Sequence, residues 1–333
     1  MSEEQKVSTR PSFFKWASLV IALGILCLSI VLYMGQQEFL APGPLKKDLT
    51  IVIPKGSGLE KISNILKDEG VIREPLIFQL GARYTKKARN LKAGEFLMPA
   101  AVSMQSVIEI LVNGKTVSYS ITIPEGKTSY EIVEILRNNP DLVGEIDDVP
   151  EEGSLLPETY QFVRGDSRQS ILDRMKQALN SSLDKLWDNR QEGLPLKTKE
   201  EALVLASIVE KETGIAAERP LVAGVFINRL NLKMRLQSDP TVTYGITLGA
   251  KPLERSLSRK DLKTPTSYNT YTIDRLPPGP IANVGLSALE AVTQPAKTKY
   301  LYFVADGTGG HAFARSLKEH NKNVRHWRSV NKK

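Results

Sequence analysis

The hydrophobic pattern changes character three times along the chain. From Trp16 to Met34 it runs for 19 residues without a charge, WASLVIALGILCLSIVLYM. As a helix rising about 1.5 Å per residue this segment covers about 28 Å, close to the hydrocarbon thickness of a bilayer. Beyond it the apolar runs are short and periodic. Leu49–Leu66, LTIVIPKGSGLEKISNIL, alternates as a strand, turns at Pro54-Lys55-Gly56, and then places apolar residues three and four apart as an amphipathic helix does. The same pattern returns at an offset of 70 as YSITIPEGKTSYEIVEIL, Tyr119–Leu136, so this strand-turn-helix unit is repeated. Between the copies Met104–Leu111 reads as a helix closed by Asn113-Gly114. From Glu151 onward helical periods dominate. Ser170–Trp187 and Thr198–Thr213 are predicted helices, and Tyr300–Val304 is a predicted buried strand.

These elements predict an α+β chain: a transmembrane helix, a small strand-turn-helix module, and a helix-rich domain with a small sheet. The boundaries expected are a tail at 1–15, an anchor at 16–34, a Gly/Pro linker at 35–48, the repeat module at 49–148 and the helix-rich domain at 149–333. A cleaved signal peptide is the main alternative for the first segment. Its apolar run is ordinarily shorter and ends at a small-x-small site, whereas this one leads into Tyr33, Met34 and Gly35. Lys6, Arg10 and Lys15 precede the segment and the next basic residues are Lys46 and Lys47, a bias that puts the N-terminus in the cytoplasm and the rest outside it. The repeat units resemble LysM-type wall-glycan modules. A purely structural packing unit would read the same way.

A formal charge of +8 and a pI near 9.3 imply attraction to polyanions. No nucleic-acid motif or basic-aromatic groove is present, so nucleic acid is not an expected partner. Cys27, inside the apolar segment, is the single cysteine, which removes thiol catalysis, disulfides and thiolate metal ligands from the rest of the chain.

The most informative helix carries Glu210. Thr198 and Glu201 have capping-box spacing at its start, and Gly214 suits a left-handed stop at its end. At about 100° per residue Glu210 points away from both Glu201 and Glu212. Its helical neighbours Ala206, Ser207, Thr213 and Gly214 are small and leave room for a ligand, while Leu205, Ile208 and Val209 flank it. Burial against such groups raises a carboxyl's pKa, as a general acid requires. From the pattern alone, a solvated surface glutamate on a charge-rich helix is the leading reading.

Four ordered strings are similar to those of the membrane-bound endolytic murein transglycosylases, the YceG-like family: LASIVEKET (205–213), VFINRL with MRLQSDPTVTYG (to 245), SYNTYTIDRLPPGPIANVG (267–285) and YLYFVADGTGGHAF (300–313). The resemblance implies that Glu210 is the catalytic residue of a lytic transglycosylase. Such an enzyme cuts the MurNAc-GlcNAc bond within nascent strands, leaves 1,6-anhydroMurNAc ends and so terminates elongation. It also implies an inner-membrane protein with a periplasmic catalytic domain, peptidoglycan as substrate and peptidoglycan synthases as partners, and neither cofactor nor metal. Two departures are visible: Val284 where proline commonly follows the asparagine, and Asp274-Arg275 in place of a smaller, often Gly-containing pair.

Around Glu210, the expected substrate-binding residues are Ser207; Gln237, Ser238, Asp239 and Thr241, whose short polar groups suit sugar hydroxyls; Tyr268, Asn269 and Tyr271, an aromatic and amide surface; and His311. For Asp239 a turn or capping role, for the tyrosine loop a cover over the core, and for His311 a structural role are the competing readings. His311 and His320 are too sparse for a metal set, and the glycines at 307, 309 and 310 lack the Lys-Ser/Thr ending of a phosphate loop. The rival for the whole chain is a non-catalytic, membrane-tethered peptidoglycan-binding scaffold.

Overall fold

The computed structural model describes residues 12–330, so the tail expected at 1–15 lies largely outside the described residues. The chain forms two compact units, Met1–Ser118 with Val163–Gly165, and Tyr119–Phe162 with Asp166–Lys333. Helix accounts for 48% of the chain and strand for 9%, so each small sheet depends on helices to cover its face.

In the first unit, helix α1 (Ser12–Leu40) contains a stretch, Trp16–Leu40, that is long and apolar enough to cross a bilayer. The linker expected from Gly35 is instead helical as far as Leu40. The first proline after the apolar segment is Pro42, and a lone glycine in a helix costs only about 1 kcal/mol. Strand β1 (Leu49–Ile53), helices α2 (Leu59–Asp68) and α3 (Pro75–Tyr84), strand β2 (Gly94–Met98) and helix α4 (Met104–Asn113) follow. A Cβ on Gly81 of α3 would lie 2.2 Å from the Phe39 ring, so the missing side chain is what seats the end of α1. β1 and β2 pair antiparallel from Leu49↔Met98 to Ile53↔Gly94. Their inward residues Ile51, Ile53 and Phe96 pack on Ile62, Leu66, Phe78 and Leu111.

The second unit opens with the second repeat copy: β3 (Tyr119–Thr122), α5 (Ser129–Arg137) and β4 (Thr159–Phe162), with β3 and β4 antiparallel. Gly56 and Gly126, at equivalent turn positions of the two copies, share the left-handed conformation, φ 76° and 74°. Only glycine takes it without strain, which is why the Pro-x-Gly spelling recurs. The sequence groups both copies within 49–148, whereas the contacts divide them. Ile121, Ile123, Ile132 and Leu136 pack on Ile171, Leu172 and Met175 of α6 (Arg168–Asp188).

The remaining helices are α7 (Lys199–Glu212), α8 (Arg219–Asn231), α9 (Asp239–Thr247), α10 (Arg259–Lys263) and α11 (Leu286–Thr293), followed by β5 (Tyr302–Ala305), β6 (His311–Ala314) and α12 (Leu317–Val330). Leu205, Ile208 and Val209 of α7, Val222 and Phe226 of α8, and Leu289 and Val292 of α11 form the largest core. The basic run from Lys322 continues α12 to Val330, and His320 of that helix stacks on Tyr302 at 5.2 Å. The strand expected at Tyr300–Val304 starts two residues later and is only half-buried.

Candidate active site

Helix α7 is the central helix of that core, buried continuously from Val204 to Glu210. Thr198 caps it by accepting from the Glu201 N–H at 3.2 Å. Glu201 does not return the bond to Thr198; its carboxylate accepts from the Lys197 N–H, so only half of the expected capping box forms. The helix stops at Thr213, whose backbone is extended (φ −143°, ψ 130°) and whose hydroxyl accepts from the Ile215 N–H. The left-handed stop expected at Gly214 is therefore absent: the chain leaves the helix through the extended Thr213, whose N–H closes the last turn on Val209 O. Glu210 stands where the helix leaves the core.

The Glu210 side chain is only 4% exposed, and both oxygens are engaged. Oε1 accepts from Arg219 Nη2 at 2.9 Å, and Oε2 accepts from the Gly285 N–H at 3.1 Å, at the N-cap of α11. Loss of hydration on burial raises the Glu210 carboxyl above its ordinary value. The Gly285 N–H and the Arg219 charge pull it down, and the Glu125 carboxylate pushes it up again. Burial wins, so the group retains its proton to higher pH than a free glutamate.

Arg219 and Glu125 are the site residues that sequence reasoning missed. Arg219 Nη2 also donates to Glu125 at 3.0 Å, and its Nη1 bonds to Ser287 Oγ. Glu125 is the middle residue of the Pro-x-Gly turn in the second repeat copy, where the first copy has Lys55. That charge reversal between otherwise matching turns was the available signal. Arg219 follows α7 at the start of the next helix, and nothing in its spacing marks it.

Gly285 makes the approach possible: a Cβ there would sit 1.7 Å from Glu125 Oε1, whereas one at Gly126 would meet the Glu210 Cγ at an ordinary 3.6 Å, and what requires glycine at 126 is its left-handed φ. For the glycan cleavage that the sequence resemblance implies, Gly285→Ala is expected to displace Glu125 or the Gly285 N–H and to lower the rate by about 10-fold or more, roughly the loss of one charged hydrogen bond. Rates on purified glycan, with circular dichroism to confirm folding, check it. Asn283 locks the same turn in place. Its N–H and Nδ2 both donate to Lys127 O, its carbonyl accepts from the Gly126 N–H, and Nδ2 also reaches Glu152 Oε1.

The predicted substrate residues divide by how their polar groups are used. Ser207 is fully buried, donates to Val204 O and accepts from the Ile281 N–H. Thr241 is fully buried and shares a hydroxyl bond with Thr270. Asn269 Nδ2 faces Asp261 O, Leu262 O and Thr264 O, closing the loop before it. Ser238 donates to Glu212 Oε1 at 2.5 Å, and burial raises the Glu212 carboxyl too. His311 Nδ1 meets Glu218 at 2.7 Å.

Gln237 and Asp239 are exposed, and the half-buried Tyr271 hydroxyl donates to Asp239 Oδ1 at 2.6 Å. Ser238 and Asp239 form the N-cap and first residue of α9, and Pro240 suits the first turn of that helix. Tyr268 packs on Tyr244, ring centroids 4.8 Å apart. A cavity of about 430 Å³ lies beside Lys211, the residue after Glu210; Asp239, Tyr244 and Ile281 also line it. The two departures have structural counterparts. Val284 is fully buried, Asp274 pairs with Arg235, and Arg275 carries φ 62°, a conformation in which glycine is unstrained.

The sequence profile of the YceG-like family matches residues 51–326, which include every element of the site. The chain belongs to the YceG-like family. An endolytic murein transglycosylase of Bacillus subtilis is similar to this YceG-like chain at 34% identity over 315 residues, covering 84% of the chain and 86% of the relative. One from Streptococcus pneumoniae is 30% identical over 326 residues, and there the match spans 58% of the relative's length. A yceG-like protein of Listeria monocytogenes, known from a 2.6 Å crystal structure, is 34% identical, with 83% of this chain and 99% of that one covered and a TM-score of 0.48.

Proposed function

We propose that this YceG-like protein is a membrane-anchored peptidoglycan lytic transglycosylase in which Glu210 is acid and base in turn. The observation that carries the reading is the double environment of its carboxyl: burial favours the protonated form, while Arg219 and the Gly285 N–H stand ready for the carboxylate. Protonated Glu210 delivers its proton to the glycosidic oxygen as the C1–O bond of MurNAc breaks. The two donors then steady the carboxylate. Glu210 next removes the proton from the muramyl 6-hydroxyl as that oxygen closes on C1, leaving a 1,6-anhydro end. The intramolecular hydroxyl has a high effective concentration, so no second carboxylate is needed to activate water.

Chain division and location follow from the same reading. Residues 1–15 are cytoplasmic and 16–34 span the inner membrane, with the spanning helix continuing to Leu40. The first unit, from β1 to α4, serves as the LysM-like wall module; the catalytic domain, expected from 149 on, takes in the second repeat copy from Tyr119 with its Glu125 turn; and both lie in the periplasm. Gln237, Asp239 and Tyr271 offer their polar groups to the glycan beside the cavity, and a site tethered at the membrane meets strands as synthases extrude them.

Digestion of purified peptidoglycan with the full chain, followed by mass spectrometry, tests this. Anhydro ends that disappear with Glu210→Gln are expected. Reducing ends would indicate a hydrolase, the second reading that Glu125 favours by placing another carboxylate on the same guanidinium nitrogen. Binding without any cleavage would leave the scaffold.

A further inference from the structure

We infer that Glu125 is a positioning residue for the reaction: by binding Arg219 on the nitrogen that also grips Glu210, it offsets the guanidinium charge and lets Glu210 carry the proton it must donate. The inference rests on the proposed acid role of Glu210 and adds to it a reason why an acid can work beside an arginine.

Arg219 presents a difficulty for a general acid. A cation 2.9 Å from a carboxyl in a largely dehydrated setting favours the deprotonated form, which cannot donate. The arginine side chain is itself only 9% exposed, and its Nε has no partner among the described residues, so its charge depends on the carboxylates and the Ser287 hydroxyl around it. Glu125, 41% exposed, is the one of the two carboxylates that water reaches well. It answers the guanidinium charge with a smaller desolvation cost than Glu210 would bear. With Glu125 in place, part of the Arg219 charge is offset as seen from Glu210. Glu210 then needs no charge of its own to satisfy Arg219, and a neutral carboxyl oxygen still accepts from it.

The other charged group near Glu210 is Lys211 on its own helix, which lowers the carboxyl's pKa and whose Nζ donates to Gly126 O at 3.2 Å. From α11 come the Gly285 N–H, bonded to Glu210, and the Ser287 hydroxyl, bonded to Arg219. The turn at 124–126 carries Glu125 itself. The Arg219 and Lys211 charges and the Gly285 N–H all favour the carboxylate, and Glu125 is the nearby negative group. The local backbone holds it there: the left-handed Gly126 is tied to Asn283 on both sides of the turn, and Gly285 has no side chain to occupy the carboxylate's position.

The test is the pH dependence of cleavage by the full chain in detergent, compared with Glu125→Gln, which keeps the shape and removes the charge. The alkaline limb, where the acid loses its proton, is expected to move down by about one pH unit, the low end for one close charge. On that limb the rate then falls about tenfold at fixed pH, while the plateau below it changes less. An unmoved limb overturns the inference, whatever the loss in overall rate, because a merely structural role lowers the rate at every pH.

If Glu125→Gln is too slow to profile, the melting-temperature difference between Glu125→Gln and Glu125→Gln/Glu210→Gln is followed with pH and compared with that between the native chain and Glu210→Gln. Its onset is expected at lower pH without Glu125, and coincident onsets overturn the inference. Full activity of Glu210→Gln would instead sink the acid role and leave the electrostatic coupling measurable by melting alone.

Discussion

Glu210→Gln is expected to lower peptidoglycan cleavage by about 10³–10⁴-fold, the upper range for a single general acid-base group, because one side chain serves both proton transfers. The same substitution is expected to leave the fold intact and to raise stability at neutral pH. Burial holds the folded-state pKa of Glu210 above its ordinary value. The folded chain therefore binds a proton there more tightly than the unfolded chain does. Stability from this group is complete below the ordinary carboxyl value and is lost as pH rises through the raised one. A glutamine, which never ionises, does not lose it. Thermal melts across the acid-to-neutral range should show the variant matching the native chain in acid and exceeding it as pH rises. A variant less stable than the native chain at pH 7 would mean that the bonds from Arg219 and Gly285 outweigh the cost of burying the charge.

That pattern, an unfavourable burial retained at one position, is where a sequence is least able to speak for itself. The strand-turn-helix repeat was legible because period-two and helical patterns are set by local geometry, and its Pro-x-Gly turn needs a glycine for a backbone reason visible in one dimension. The helix carrying Glu210 was legible for the same reason, and the family strings singled out the residue on it. Arg219 and Glu125 were not. Arg219 reaches Glu210 across two helices, and Glu125 arrives from a turn 85 positions earlier than Glu210 in the chain. Only packing brings them onto one nitrogen.

Local patterning also overreached where a polar side chain could serve either the fold or a ligand. Ser207, Thr241 and Asn269 read as sugar-facing groups, yet they are buried and spend their hydrogen bonds inside the unit. Period and composition do not distinguish a hydroxyl aimed outward from one that closes a loop. The boundary between units was hidden in the same way. The two repeat copies look alike as strings, and their separation depends on which helix each strand packs against.

Asn283→Ala is expected to cost about 3 kcal/mol of stability, near the upper end for leaving buried polar groups without partners. For a unit of this size that is a fall of roughly 6–12 °C in melting temperature. Asn283 is fully buried. Its Oδ1 accepts from the Leu155 N–H at 2.9 Å, and its Nδ2 donates to Lys127 O, Ser129 Oγ and Glu152 Oε1, each at 3.1 Å. Alanine abolishes all four bonds. The Glu152 carboxyl, which burial already raises above its ordinary value, loses one of its donors and should bind a proton more tightly still. The variant's deficit is therefore expected to shrink as pH falls, since protonated Glu152 needs fewer donors.

The consequence for catalysis separates this residue from an ordinary core position. The backbone bonds of Asn283 to Gly126 and Lys127 are independent of its side chain and survive the substitution. Below the new melting temperature, a variant that keeps these bonds should hold Glu125 near Arg219 and lose less than about tenfold in rate. A larger loss from a folded variant would show that the amide side chain, and not the backbone pairing alone, fixes the Glu125 turn against the helix of Glu210.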